Sequence, residues 1–442
     1  MKVLNMLIIL LSKMSKSILK LLGKNAGTLP GRLALTLNKN IRDFISFDGK
    51  LIVVTGTNGK TTTTNMIYDI LKKSNETVVG NIGGNNISWG ITTTLINAAN
   101  INGKIKAKYI VLETDEHFVP VIYNKTNLKI DSLIVLNFFR DQLDRAGELE
   151  TLILKLYKFI ENNPCNLILN GNDPNVLRLG MNNKGKNYYY GVCKLPISKI
   201  KSHDKMEGII CPNCKIPLKY EYYHYAHIGA FECNKCGFGK INYDTLVEKI
   251  EGNKIYIGNS IYEINKPDLY NIYNILSIIT LSKIYKINSS SLKSVIKNYK
   301  SNNGRGEEFK INNNSVILQL GKNPTGFNVV FKAMKEDKNK KDLLVIINDK
   351  VNDGFDVSWI WDIDFSNISS FNKIICSGSR ASDLAVRIKC AGYQANKIEI
   401  IKKEEEAIDK LVNGNNKKYI ISNYSSLTKV KEYLEYKEKR NI

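Results

Sequence analysis

Gly56, Thr57, Asn58, Gly59, Lys60, Thr61 and Thr62 end an apolar, β-branched stretch, KLIVVTGTNGKTTTT over residues 50–64. A turn built on two glycines can aim backbone N–H groups at an anion. The helical pattern that follows (Met66, Ile67, Ile70, Leu71) adds roughly half a positive charge at its N-terminus. Lys60 suits the β/γ-phosphate oxygens of ATP, and the Thr61 hydroxyl suits Mg²⁺. The G-x-x-G-K-T spacing is tighter than the common phosphate loop, whose first glycine would fall where Val54 stands. Glu113 closes another apolar run, AKYIVLE. One sheet position from the Lys60-Thr61 turn, its carboxylate could hold Mg²⁺ directly or through water. The neighbouring Asp115 and Glu116 read as helix-capping or solvated residues. Asp141 and Asp144 follow a third such run.

A second constellation is made of cysteines. Cys211-x2-Cys214 and Cys233-x2-Cys236, eighteen residues apart, have the spacing of a four-cysteine zinc ribbon. Four thiolates close a tetrahedral site, so the metal is expected to be structural. His203, His224 and His227 lie nearby and, with four thiolates available, read as surface histidines. Asn271 and Asn274, three apart on one helix face, could read an adenine edge or hold a phosphate-bound water. The remaining cysteines, Cys165, Cys193, Cys376 and Cys390, lie in no G-x-C-x-G nucleophile turn.

Alternating strand and helix patterns position these groups. From Lys50 to about Asp173 the apolar runs read as parallel strands of an open α/β sheet, with ligands at their carboxyl ends. The cysteine island, residues 203–243, interrupts this domain. A hairpin (Tyr256 to Ile264) and the asparagine helix follow. Asn302 to Gly306 reads as a hinge carrying Arg305. From Ser315 strand–helix units resume as a second, Rossmann-like α/β domain without a G-x-G-x-x-G fingerprint. The domains are therefore 1–49, a helical arm; 50–305, the ATP-binding domain; and 306–442, the C-terminal domain. TLPG at Thr28 to Gly31 is expected to break the first helix.

The 442 residues are 43% apolar and 24% charged, ordinary for a globular protein, with net charge +22. That excess favours phosphate-rich partners. The basic residues are spread along the chain, so nucleic acid is not expected as a partner. Val3 to Leu11 is too short to span a bilayer and is followed by Lys13, Lys16 and Lys20. Residues 1–22 read as a basic amphipathic helix that docks on the protein itself or lies on an anionic membrane.

Together these motifs resemble the Mur ligase family, ATP-dependent enzymes that build the peptidoglycan peptide stem. TGTNGKTTT is similar to their phosphate loop and Glu113 to their Mg²⁺-binding glutamate. NFFRDQLDRAGELE, LNGNDP, LYNIYN and Gly304-Arg305 resemble further family segments, which implies that Asn271, Asn274 and Arg305 serve the nucleotide. The usual UDP-sugar-binding N-terminal domain has no counterpart, the cysteine ribbon is inserted, and NDKVNDGFDVSWIWDIDF replaces the amino-acid-binding segment. These departures resemble a branch that amidates the α-carboxyl of D-glutamate in lipid II through an acyl phosphate. The resemblance implies ATP, Mg²⁺ and structural Zn²⁺ as cofactors. It also implies ammonia from a separate glutaminase subunit (GatD-like) in a heterodimer, to whose Cys-His pair the chain lends an aspartate. Asp356 is the expected one, with Asp353 and Asp349 as alternatives. Lys60, Glu113 and Asp356 are thus the expected catalytic set, in the cytoplasm or at the inner membrane face. The carbamylated lysine of many Mur ligases has no assignable counterpart. A folylpolyglutamate-like ligase or a nucleic-acid-binding ATPase are the competing readings.

Overall fold

The run before the glycine turn folds as β1 (Lys50–Thr55), an interior strand of a seven-stranded sheet. The structure, a computed structural model, describes residues 1–442 except 24–25, 125, 141–147, 202–206, 266, 300–304, 313, 351–352 and 441–442. The chain forms two compact units, Met1–Phe139 with Leu149–Tyr299, and Arg140–Glu148 with Lys300–Ile442.

In the first unit, β1 is joined by β2 (Val78–Gly80), β3 (Tyr109–Glu113), β4 (Ser132–Val135), β5 (Asn166–Asn170), β6 (Asn187–Val192) and β9 (Thr245–Val247). Their order is β9-β6-β5-β4-β1-β3-β2, and every pairing is parallel. Parallel strands are covered on both faces, which explains their unbroken apolar runs. In β1, Ile52 and Val54 face a layer containing α3 (Lys60–Lys73), α6 (Leu269–Tyr285) and α7 (Ser289–Asn298). Leu51 and Val53 face a layer containing α1 (Lys2–Leu21), α4 (Ser88–Ala98) and α5 (Leu149–Asn162). The hairpin expected near Tyr256 is β10 (Lys254–Ile257) with β11 (Ser260–Glu263).

Docking on the protein's own surface is the outcome for α1. It packs Ile8 and Ile9, 2% and 0% exposed, into the second layer beside α2 (Leu29–Leu37). Burial of each isoleucine contributes roughly 1.5–3 kcal/mol. TLPG does not end α1, which stops at Leu21 with Leu22 as its C-cap; it starts α2, with Thr28 as N-cap and Pro30 in the first turn, where a missing N–H costs nothing.

The cysteine island lies between β6 and β9, parallel neighbours that a helix would ordinarily connect. It contains an antiparallel hairpin, β7 (Lys219–Tyr225) and β8 (Ile228–Glu232).

The second unit holds a six-stranded sheet of order β12-β13-β17-β14-β15-β16. The strands are β12 (Arg305–Ile311), β13 (Asn314–Leu320), β14 (Lys341–Ile346), β15 (Lys373–Ser377), β16 (Ile398–Ile400) and β17 (Lys417–Ser422). Only β12, paired with β13, is antiparallel. Helices α8 (Pro324–Glu336) and α9 (Ala381–Cys390) cover one face, and α10 (Glu404–Val412) and α11 (Tyr424–Arg440) the other. Arg305 is the first residue of β12, where it pairs with Gln319. Asn302 to Gly304, Asp141, Asp144 and His203 lie outside the described residues.

Candidate functional site

The glycine turn sits between the carboxyl end of β1 and the first residue of α3, Lys60. Gly56 and Gly59 hold φ of +122° and +91°, which side chains rarely tolerate. A Cβ on Gly56 would lie 2.9 Å from Asn137 O, and one on Gly59 2.2 Å from Asn274 Oδ1. Asn274, 8% exposed, is thus pressed against the turn. Asn271 is half-buried in the first turn of α6, where its N–H donates to Asp268 Oδ1.

Residues after β4 hold the turn from below. The Asn58 N–H donates to Asn137 Oδ1 at 2.9 Å and Asn137 Nδ2 to Asn58 O at 3.0 Å. The Thr57 hydroxyl accepts the Phe139 N–H at 3.0 Å. Neither Asn137 nor Phe139 was assigned such a role from the sequence.

Lys60 is buried, 7% exposed, and its ammonium donates to Gly56 O, to Thr57 O at 3.2 Å and to Glu116 Oε2 at 3.0 Å. Burial alone would lower its pKa. The carboxylates of Glu116, Asp115 and Glu113 outweigh that, so the pKa is raised and the group stays charged. Glu116 is therefore no solvated residue. At 4% exposed, it is the buried counter-ion of Lys60. Asp115 is not the helix cap: it accepts the His117 N–H at 3.1 Å in an Asx-type turn, and His117 is the N-cap of the short helix Phe118–Tyr123.

Glu113 ends β3 at 3% exposed. Its backbone is clamped by Asn81, which accepts the Glu113 N–H and donates to Glu113 O, both at 2.8 Å. Asn86 Nδ2 donates to Glu113 Oε1 at 2.8 Å, while buried Oε2 has no hydrogen-bond partner. Such an orphan is costly in an apolar setting and suits a cation. A Cβ on Gly84 would lie 3.7 Å from Thr61 Oγ1 and 3.8 Å from Glu113 Oε2. These two oxygens therefore border one small space, and a hydroxyl plus a carboxylate is a donor set that Mg²⁺ accepts. Asn81 and Asn86 come from a Gly/Asn-rich loop, N-I-G-G-N-N, whose composition was its only sequence signal.

The four ribbon cysteines converge, with all their sulfurs within 4.8 Å of one another. Cys211 Sγ and Cys236 Sγ are 3.6 Å apart. A tetrahedron with Zn–S bonds of about 2.3 Å has sulfur–sulfur edges of about 3.8 Å, so the donors fit zinc in type and spacing. Each CxxC folds as the same knuckle, with the following residue, Lys215 or Gly237, at positive φ and bonded back to Cys211 O or Cys233 O. His224 and His227 are not surface residues. They are 1% and 0% exposed because the β7–β8 hairpin turns its tip inward. Burial lowers His224 to about 4, while His227 lies tilted against Phe139, ring centroids 4.9 Å apart, with its Nε2 3.5 Å from Asp173 Oδ1.

In the second unit the three candidate aspartates separate. Asp349 accepts from the Ser379 hydroxyl at 2.6 Å and pairs with Arg380 at 2.9 Å. Asp353 is 3% exposed and accepts the Ser425 N–H at 2.8 Å; its burial raises its pKa. Asp356 is half-buried, accepts the Ser358 N–H at 2.8 Å two residues on, and is held below its usual pKa by that bond. It is flanked by Phe355 and Trp361, 64% and 56% exposed. Arg305 is placed at the start of β12.

Comparison with known proteins agrees with this layout. Residues 54–218 match the Mur ligase middle domain and residues 320–427 the MurT ligase C-terminal family. The subunit MurT of lipid II isoglutaminyl synthase (glutamine-hydrolyzing) from Streptococcus pneumoniae is 32% identical over 96% of both chains. Its counterpart from Staphylococcus aureus (strain COL) is 31% identical, again over 96% of both. A pseudomurein peptide ligase type C from Methanothermus fervidus shares the fold, with TM-score 0.68 and 22% identity over 88% of this chain and 79% of that one. With an α/β Mur ligase-like fold, a glycine turn at the end of β1 and similarity to these subunits over 96% of both chains, the chain belongs to the MurT family of Mur ligase-like enzymes.

Proposed function

We propose that the chain is the ATP-dependent ligase subunit that amidates the α-carboxyl of D-glutamate in the lipid II stem peptide, giving D-isoglutamine. Phosphoryl transfer from ATP activates the carboxylate as an acyl phosphate, and ammonia displaces the phosphate. Its parts are the helical arm 1–49, the ATP-binding domain 50–305 with its zinc ribbon 203–243, and a Rossmann-like domain 306–442. A lipid-linked substrate sets the work at the inner face of the cytoplasmic membrane.

In this reading Lys60 exchanges Glu116 for phosphate oxygens, and the backbone N–H groups of the Gly56–Thr62 turn cradle the same anion. Asn271 and Asn274 serve the base side of the nucleotide, and Arg305 is assigned to the nucleotide with them. Thr61 and Glu113 would hold Mg²⁺, which supplies charge neutralisation when bound. Zinc on Cys211, Cys214, Cys233 and Cys236 would be structural, since four thiolates leave no open position. A GatD-like glutaminase supplies ammonia, and Asp356 orients that partner's histidine. The depressed pKa of Asp356 keeps it ionised, as that role needs.

One observation carries the ligase chemistry: Glu113 Oε2 is buried without a hydrogen-bond partner and borders the same space as Thr61 Oγ1. Glu113→Gln places an amide there and is expected to lower Mg²⁺-dependent amidation by about a hundredfold or more. Wild-type amidation of a lipid II substrate by that variant, with its partner and ammonium supplied, would overturn the assignment.

A further inference from the structure

α1 buries one face and leaves the opposite one uncovered. Ile8, Ile9 and Ser12 are 2%, 0% and 0% exposed, whereas Leu4, Leu7, Leu11, Met14, Ile18 and Leu21 are 49–88% exposed. At 3.6 residues per turn these six project within an arc of about 100°. They form a continuous apolar stripe along the whole helix. Single exposed leucines are ordinary; six on one stripe are a contact surface.

The charges on the same helix say what it fits. Lys2, Lys13 and Lys20 follow one another at spacings that return to the same side, between the buried face and the stripe and about 140° round the helix from the stripe's centre. Lys13 is tied back to the protein through Ala99 O, while Lys2 and Lys20 are exposed. α1 carries no acidic residue. A protein partner or a second copy of this basic chain would have to tolerate those lysines. An anionic lipid surface accepts the stripe while the long stems of Lys2 and Lys20 reach back to its headgroups. Among the described residues no helix is long and apolar enough to cross a membrane, so the geometry is that of a helix lying in the interface.

We propose that α1 is a peripheral membrane-docking face. Its Leu4–Leu21 stripe enters the headgroup–acyl boundary of an anionic bilayer, and Lys2 and Lys20 contact the headgroups. The helix would thereby hold the first unit against the surface that carries a lipid-linked substrate. That consequence rests on the ligase reading, whereas the docking itself does not.

The test uses the full chain and vesicles without substrate, so its outcome is independent of amidation. Sedimentation with phosphatidylcholine vesicles, with and without phosphatidylglycerol, is expected to show binding that requires the anionic lipid and weakens with salt. Leu11→Glu combined with Ile18→Glu is expected to reduce partitioning more than tenfold. Lys2→Gln and Lys20→Gln are each expected to reduce it about fivefold. All four positions point away from the core, so circular dichroism and the thermal midpoint should match the unsubstituted protein. The proposal is overturned if the folded chain stays in the supernatant with anionic vesicles, or if the double glutamate variant binds them equally well. It is also overturned if that variant instead abolishes self-association, or capture of the glutaminase, in a chain that never bound vesicles.

Discussion

Replacing Glu116 by glutamine should tighten nucleotide binding while weakening the empty protein. Lys60 and Glu116 form an ion pair at 3.0 Å with both side chains 7% or less exposed. At an effective dielectric of about 20 the Coulomb attraction at that distance is about 5 kcal/mol, and losing one partner of a buried pair typically costs about 3–5 kcal/mol. Glutamine keeps an acceptor oxygen, and Gly56 O and Thr57 O still receive the ammonium. A net cost of about 2 kcal/mol to the empty state is therefore the working value. If Lys60 leaves Glu116 for phosphate when ATP arrives, that cost falls on the empty state alone. The Kd for a non-hydrolysable ATP analogue should then drop by about thirtyfold. Isothermal titration of wild type and variant gives the ratio, and the thermal midpoint without nucleotide should fall by a few degrees. Weaker analogue binding by the variant would refute the exchange, because Glu116 would then be serving the bound state.

Three further outcomes are expected. Asp356→Asn should lose glutamine-dependent amidation yet keep the ammonium-dependent reaction; full glutamine-dependent turnover in the complex would exclude Asp356. Cys211→Ser should release the metal and lower stability, read as zinc content and thermal midpoint together; a stable, zinc-free, active variant would show the ribbon dispensable. His224 is buried neutral with its pKa lowered to about 4, so below its ordinary value of about 6.5 the unfolded chain binds the extra proton. Stability should therefore hold above pH 6.5 and decline towards pH 4, by about 2 kcal/mol between pH 7 and pH 5. His224→Phe should flatten that decline in urea titrations at the two pH values.

What could be read without coordinates follows the range of each interaction. The G-x-x-G-K-T turn, the paired CxxC knuckles and the parallel strands depend on residues close in sequence, and they stand where the pattern puts them. Glu116 was misread because its partner, Lys60, is 56 residues away, and nothing local marks a buried glutamate. Asn81 and Asn86 meet Glu113 across 32 and 27 residues for the same reason. His224 and His227 looked superficial because four thiolates already complete the metal site and leave the histidines no role there. Here the Ala226 backbone, at φ +42°, turns the hairpin tip into the protein. The composition of α1 showed an amphipathic helix, but only packing reveals which apolar residues remain uncovered.

The placement of the ribbon between two parallel strands bears on how the protein folds. β9 is the edge strand of its sheet and cannot find β6 until the intervening stretch, residues 193–244, has been gathered in. A metal bridging Cys211 and Cys236 would shorten that loop by about half, which lowers the closure entropy by only about 0.6 kcal/mol. Loop shortening alone is therefore a minor aid. The greater effect would come from ordering β7 and β8, because the inward tip of that hairpin supplies Ile228, fully buried in the core layer that also holds Val247 of β9. Chain made without metal would reach the native sheet slowly, with its last strand and α6 waiting. Metal supply would then appear first as a change in refolding rate, before any change in turnover.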